Sequence, residues 1–283
     1  MGENKQTGTL YLVGTPIGNL KDLTIRALET LQNVDLIAAE DTRHTQKLLN
    51  HYAIHKPVTS YYEHNKSSKG PWLLEKLSAG ENIALVSDAG MPGISDPGED
   101  LVRACLQKKI PLTVIPGPSA ILTAMVASGL DCKGFVFAGF FPRLKKEQKN
   151  ILSQLKEEKR TIIFYESPYR LPKTLVEIKK AWGERHCCVA RELTKVYEEY
   201  IRGTLSEVLA YWEQHTPKGE MTLLLEGARD EEDAAAAVAT PERIVQCYHQ
   251  LLSKGITSKE ALKETAGLLG ISKREVYRLV MVK

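Results

Sequence analysis

Ser87-Asp88-Ala89-Gly90-Met91-Pro92-Gly93-Ile94-Ser95-Asp96-Pro97-Gly98 follows directly on the apolar run Ile83-Ala84-Leu85-Val86. Three glycines and two prolines in twelve residues end the strand and leave backbone amides and carbonyls open to a ligand. Two other apolar runs end in the same way. Residues 9–13 lead into Val13-Gly14-Thr15-Pro16-Ile17-Gly18-Asn19-Leu20, and residues 112–115 lead into Pro116-Gly117-Pro118-Ser119-Ala120. Neither a G-x-G-x-x-G fingerprint nor a P-loop is among them, so the pyrophosphate cradle and its lysine are missing. Three Gly/Pro loops at three strand ends imply one composite cleft for a neutral or zwitterionic ligand. The competing reading is a set of strained connections with no ligand.

Outward from these loops, β-type runs at residues 9–13, 34–38, 83–86, 112–115, 135–137, 161–165, 187–190 and 221–225 alternate with helical patterns. Asp96-Pro97-Gly98-Glu99 offers a helix cap with a first-turn proline, and Thr204-Leu205-Ser206-Glu207 is a capping box. Pro118 and Pro172 read as first-turn prolines of two more helices. The alternation predicts an α/β fold with largely parallel sheets. After the acidic block Asp230-Glu231-Glu232-Asp233 and the small-residue link 234–239 no strand candidate remains. Thr240-Pro241, Ser258 and Ser272-Lys273-Arg274-Glu275 open three helices, with Gly255 and Gly270 at their stops. The last turn and its basic helix resemble a helix-turn-helix presenting Lys273, Arg274, Tyr277 and Arg278. The expected domains are 1–117, an N-terminal α/β domain, and 118–229, a C-terminal α/β domain. A linker 230–239 and a small all-α domain 240–283 complete the chain.

Composition bounds the function. At 283 residues, 43% hydrophobic and 26% charged, the chain can bury a sizeable core. No apolar run reaches the roughly 18–20 residues that span a bilayer, and the opening residues are polar, so the expected location is cytoplasmic. Five cysteines without C-x-x-C spacing argue against a disulfide framework or zinc ribbon. Cys187 and Cys188 are expected to pack in a buried strand. His51 and His55 fall at i,i+4 on one helix face without the glutamate of a zinc motif, so no metal is expected. No G-x-S-x-G elbow is present either. The net charge of +3 is modest, but residues 143–160 hold seven Lys/Arg against three Glu, and residues 241–283 hold eight against four. Each run is either a solvated helix face or a place where a phosphate backbone docks.

The motifs together resemble the tetrapyrrole-methylase-like (class III) methyltransferase superfamily, over about residues 9–227 and with the helical tail included. They are V-G-T-P-I-G-N-L at 13–20, A-A-E-D-T-R at 38–43, the twelve-residue loop at 87–98 and P-G-P-S-A at 116–120. G-F-F-P at 139–142, Y-E-S-P-Y-R at 165–170 and R-E-L-T-K at 191–195 complete the set. Tetrapyrrole-modifying relatives carry a G-G-D-P type sequence where this chain has Ala89-Gly90-Met91-Pro92, which favours the RNA-modifying branch. The resemblance implies two α/β domains clasping S-adenosyl-L-methionine, a homodimer, and 2′-O-methylation of a cytidine ribose in the decoding region of 16S rRNA. The partner it implies is the small ribosomal subunit. Carried over by motif position, the cofactor contacts are Ala89, Gly90, Met91, Ile94, Ser119, Ala120, Tyr165, Leu193, Met221 and Thr222.

Methylating a ribose hydroxyl requires that its proton be removed or its developing charge stabilised. Glu40-Asp41-Thr42-Arg43 and Arg191-Glu192-Leu193-Thr194-Lys195, both at strand ends, have suitable groups. Asp41 or Glu192 is the candidate proton acceptor, and Arg43 or Lys195 the charge stabiliser or phosphate anchor. The alternative is that Glu40/Arg43 and Arg191/Lys195 are structural ion pairs. Two other functions compete. One is methylation of a tetrapyrrole precursor or a protein side chain, which the missing G-G-D-P and the basic tail oppose. The other is a ligand-sensing nucleic-acid-binding regulator, which the ionisable groups at the strand ends oppose.

Overall fold

A computed structural model describes residues 7–229, 241–253, 255–269 and 271–281. The expected linker 230–239, its acidic block and Gly270 lie outside the described residues. The chain divides into two compact units, residues 1–156 with 160–226 and residues 157–159 with 227–283.

The first unit holds two five-stranded sheets. In one, β1 (Leu10–Val13), β2 (Leu36–Ala39), β3 (Val58–Ser60), β4 (Ile83–Val86) and β5 (Leu112–Ile115) run parallel in the order β3-β2-β4-β1-β5. Strands β2 and β4 are buried along their whole length, because helices cover both faces and an all-apolar run satisfies both. On one face α1 (Ile25–Asn33) and α2 (Thr42–His51) bring Ala27, Leu31 and Leu49 against Val13, Ile37 and Val86. On the other, α3 (Lys66–Ser78) and α4 (Glu99–Gln107) bring Leu73, Leu77 and Leu101 against Leu10, Ala38 and Leu85. The path from β1 leads to one side of the sheet and the path from β4 to the other. Their adjacent carboxyl ends therefore form the crevice at which open parallel sheets bind ligands.

The second sheet is mixed. Its strands β6 (Phe135–Phe140), β7 (Thr161–Glu166), β8 (His186–Arg191), β9 (Glu199–Thr204) and β10 (Met221–Leu225) are ordered β6-β7-β10-β8-β9. Only β6 and β7 pair in parallel; β10 runs antiparallel to β7 and β8, and β9 antiparallel to β8. The expectation of largely parallel sheets therefore holds for the first sheet and fails for the second. Residues 192–198 contain no crossover helix, so β8 can only turn back on itself into β9. Helix α5 (Ala120–Ser128) packs Ile121, Ala124 and Met125 on one face of this sheet. Helices α6 (Lys145–Gln154), α7 (Leu171–Trp182) and α8 (Leu205–Gln214) cover the other with Leu152, Leu175 and Trp212.

The second unit carries α9 (Pro241–Ser253), α10 (Ser258–Leu269) and α11 (Lys273–Met281), joined around Ile244, Tyr248, Leu251, Ala261, Leu262 and Val276. Lys273, Arg274, Tyr277 and Arg278 are exposed on α11.

Local signals were met unevenly. Thr204 and Glu207 close the expected capping box, and Pro172 lies in the first turn of α7. Ser272 caps α11 by accepting from the Glu275 amide at 3.2 Å. Asp96 does not cap α4: the helix starts at Glu99 behind Gly98 at φ 155, a conformation only glycine takes without strain. Pro118 precedes α5 rather than entering it, because Ser119 is the cap. Ser258 is already inside α10, and Thr257 accepts from the Glu260 amide in its place. Helix α2 ends at His51, so His55 lies beyond it and shares no helix face with His51. Cys187 and Cys188 are buried on β8.

Candidate active site where five loops meet

Each of the three Gly/Pro loops touches another through backbone. Thr15 and Gly90 exchange amide-to-carbonyl bonds of 2.9 and 3.1 Å, an isolated antiparallel bridge between the loops after β1 and β4. The Thr15 hydroxyl donates to the Ser87 carbonyl at 3.2 Å, which ties the same two loops a second time. A Cβ on Gly14 would sit 2.7 Å from Met91 Sδ and 2.8 Å from Gly117 Cα, and one on Gly117 would meet the Gly14 backbone at 2.9 Å. Only glycine fits both positions. The loop after β1 also reaches the second sheet: the Asn19 amide donates to Thr194 Oγ1 at 3.0 Å, and a Cβ on Gly18 would sit 2.6 Å from Lys195 Cγ.

Between these loops lies a cavity of about 250 Å³. Its walls include Ala89, Gly90, Met91, Ile94, Ser119 and Ala120 from the first three loops, and Tyr165, Leu193 and Met221 from the second sheet. Thr222 is buried on β10 behind this wall, opposite Tyr165 in the strand register. Ile17 and Phe140 also line it, together with the acids Asp96, Glu166 and Glu220. No lysine or arginine is among the described residues lining it. Such a wall suits a ligand that carries positive charge and no phosphate.

The two clusters at the strand ends take different forms. Asp41 caps α2, accepting from the Arg43 amide at 2.8 Å, and its carboxylate grips the Arg43 guanidinium at 3.1 and 2.7 Å. That bidentate partner holds the Asp41 carboxyl down at about 2, and the Arg43 side chain is 87% exposed. The ion pair is thus Asp41–Arg43, not Glu40–Arg43. At the other cluster Lys195 Nζ bonds Glu192 at 2.9 Å and Glu220 at 3.0 Å, while Arg191 Nε faces Glu199 at 3.3 Å. Burial would raise the Glu192 carboxyl, but the Glu220 amide and Lys195 outweigh it and its pKa is lowered. Burial likewise opposes the Lys195 charge, and the two glutamates reverse that, so its pKa is raised. Glu192 and Thr194 sit at φ 50 and 66, a left-handed conformation that costs non-glycine residues about 1–3 kcal/mol where it is held. Leu193, between them, is thereby turned into the cavity wall.

Comparison with known proteins follows this geometry. Residues 9–209 match the family described as Tetrapyrrole (Corrin/Porphyrin) Methylases. A Bacillus subtilis (strain 168) protein called Ribosomal RNA small subunit methyltransferase I is 49% identical over 280 residues, 98% of this chain and 95% of its own. Its namesake from Halalkalibacterium halodurans is 47% identical over 272 residues, 96% of this chain and 94% of its own. The chain belongs to the tetrapyrrole methylase family. Solved structures of the same fold include a diphthine synthase, with TM-score 0.62 and 14% identity over 77% of this chain and 90% of its own. Another is a cobalt precorrin-4 methyltransferase, with TM-score 0.56 and 18% identity over 77% of this chain and 94% of its own.

Among the cavity residues of this methylase that the sequence did not single out, Asp96 stands apart, because its place before Pro-Gly-Glu reads as a helix cap. Burial, then the neighbouring Glu40 carboxylate, raises its pKa to about 7, with the Ser87 hydroxyl beside it working the other way. Glu40 is itself raised, by burial and then by Asp88. Tyr165, across the cavity, is pushed up to about 12 by burial and by Asp96. Crowding of these three acids was not readable from spacing, since Glu40, Asp88 and Asp96 come from two different loops.

Proposed function

We propose that the chain transfers a methyl group from S-adenosyl-L-methionine to the 2′-hydroxyl of a cytidine ribose in the decoding region of 16S rRNA. Its substrate is the small ribosomal subunit, and it acts in the cytoplasm as a homodimer. The near full-length identity to relatives named for ribosomal RNA methylation carries this reading. The cavity supports it: glycine-built loops expose backbone groups, and three acids face the space without a lysine or arginine. That donor set fits a sulfonium cofactor and rejects a nucleoside polyphosphate.

When bound, the cofactor supplies a methyl carbon already activated by a departing neutral thioether. Ala89, Gly90, Met91, Ile94, Ser119, Ala120, Tyr165, Leu193 and Met221 would hold it, with Thr222 supporting Tyr165 from the neighbouring strand. The chain's own task is to place the ribose hydroxyl in line, about 3 Å from the carbon, and to take its proton. Asp96 is the acceptor that the geometry favours over Asp41 and Glu192. Those two carboxylates are occupied by Arg43 and Lys195, whereas Asp96 opens on the cavity with a pKa matched to neutral pH. Lys195 holds Glu192 and Glu220 at the cavity rim, and exposed Arg43 is placed to anchor a phosphate.

Helix α5 supports the homodimer. It is apolar all round, yet Leu122 is 54% and Val126 78% exposed, one turn apart on the same face. For the tail, exposed Lys273, Arg274 and Arg278 fit a second contact with RNA.

The test is to incubate the purified chain with methyl-labelled cofactor and unmethylated small subunits, then digest the RNA and identify nucleosides by mass spectrometry. Label in 2′-O-methylcytidine is the expected result. Label only in a base, in ribosomal protein, or in an added tetrapyrrole precursor would overturn the reading.

A further inference from the structure

A second cavity, of about 280 Å³, lies on the far side of the β6 end from the first. Phe140 lines the first cavity and Phe141 the second, so consecutive residues, about 3.8 Å apart at Cα, face the two spaces. The second cavity is basic. Arg143, Arg170 and Lys173 line it, against one acid, Glu177.

The three cations are not equivalent. Arg170 is fixed: its Nη2 donates to the Phe141 and Pro142 carbonyls at 2.7 Å each and lies 3.5 Å from Glu166 Oε2. Glu166 is itself buried, accepts from Ser167 N at 2.7 Å and Thr174 Oγ1 at 2.5 Å, and lines the first cavity. Arg170 therefore builds the wall that the two cavities share. Arg143 and Lys173 are exposed and have neither an ion pair nor a side-chain hydrogen bond among the described residues. Unpartnered cations at the mouth of a concave space attract an anion. Exposed Lys145, Lys146 and Lys149 on the adjoining α6 extend the positive field, opposed locally by Glu147. Tyr169, next to Arg170 in the chain, presents an open aromatic ring, 92% exposed. Cations interleaved with open aromatic rings are how single-stranded nucleic acid is held, by phosphate contact and base stacking together.

We infer that the cavity of Arg143, Arg170 and Lys173 binds a backbone phosphate of the RNA next to the nucleotide being methylated, with Tyr169 offering a stacking face. The assignment rests on the proposed RNA substrate. It gives the later residues of G-F-F-P and Y-E-S-P-Y-R, of which the first cavity uses only Phe140, Tyr165 and Glu166, a role in seating the substrate strand.

The experiment compares the full-length chain with R143A/K173A and with K108A/K133A, which removes the same charge from exposed sites elsewhere. Steady-state methylation of small subunits and calorimetric cofactor binding are measured for each, across a salt series. For R143A/K173A the expected result is a KM for subunits raised about tenfold with kcat kept, the signature of lost substrate binding. The salt slope of binding should become shallower by about 0.7–0.9 per lost contact. Cofactor affinity should not change, and R143K/K173R should recover most of the loss. Unchanged KM and salt slope, beside a wild-type protein that methylates RNA, would overturn the subsite alone. A wild-type protein that methylates no RNA would overturn the functional reading beneath it. Equal losses in K108A/K133A would reduce the effect to net charge, and competition by inorganic phosphate well below screening concentrations would mark a free-anion site. Either result also overturns the assignment.

Discussion

The two walls of the candidate cavity are made from different materials. The wall on the first sheet is backbone against backbone: Gly14 against Gly117 and Thr15 against Gly90, with no room for a Cβ at either glycine of the first pair. The wall on the second sheet is held by side chains, with Lys195 between Glu192 and Glu220 and two non-glycine residues kept left-handed. A backbone joint is indifferent to salt and intolerant of substitution, whereas an ion-paired joint tolerates substitution and responds to salt and pH. Asp96 belongs to the first wall but is its one titrating exception.

Replacing that exception should have the largest effect. Asp96→Asn is expected to cut single-turnover methylation by about 10²-fold or more, with cofactor binding retained. In the wild type the single-turnover rate should climb as pH rises through about 7, and in the variant that climb should vanish. Stability should move the other way. The folded pKa of Asp96, about 7, lies above the ordinary 3.8, so the stability tied to its protonated form is full below 3.8 and lost as pH rises through 7. The variant should thus melt higher than wild type at pH 8. A variant that keeps wild-type turnover and pH profile would remove Asp96 from the chemistry.

Next in size is Gly117→Ala, which drives a methyl into the Gly14 backbone at 2.9 Å. It should destabilise the chain by about 1–3 kcal/mol and weaken cofactor binding at every salt concentration. A neutral outcome in calorimetry and thermal melts would show that the first wall yields. Lys195→Ala probes the second wall. Cofactor affinity should drop by roughly fivefold, in keeping with the modest worth of half-exposed ion pairs, and the wild-type advantage should shrink in high salt. If the loss does not depend on salt, the walls are alike and the contrast fails.

Asp41→Asn should be the smallest. Asparagine still caps α2, so the change removes the Arg43 pair and little else. Because Asp41 is held at about 2, below the ordinary 3.8, its stabilisation is present above 3.8 and lost as pH falls through 2. Wild type and variant should therefore converge in denaturant titrations only near pH 2. A hundredfold fall in turnover instead would return the proton-acceptor role to Asp41.

The first wall was legible in the sequence and most of the second was not. Glycine and proline speak through backbone geometry, so three such loops at strand ends announced a shared cleft. Asp96 misled because an acid before Pro-Gly-Glu satisfies every local rule for a cap, while Gly98 starts the helix instead. In the second sheet β9 passed unnoticed: Glu199-Tyr200-Ile201-Arg202-Gly203-Thr204 has charges and a glycine, and its pairing with β8 is what makes it a strand. The direction of β10 was equally hidden. Met221-Thr222-Leu223-Leu224-Leu225 is buried at all five positions, and full burial looks the same for parallel and antiparallel neighbours. The Lys195 bridge joins residues from two loops, 192–195 and 220, and only the folded sheet brings those together.

Helix α5 begins just after its cap Ser119, in the cavity lining, and buries Ile121, Ala124 and Met125 against the second sheet. It is built as a lever whose short arm lines the cavity and whose long arm is glued to the opposite wall. Any change in the angle between the sheets must shift Ser119 and Ala120. By reciprocity, any ligand that occupies the cavity at those two residues biases that angle, so its binding energy is also energy available to set how widely the cleft stands open.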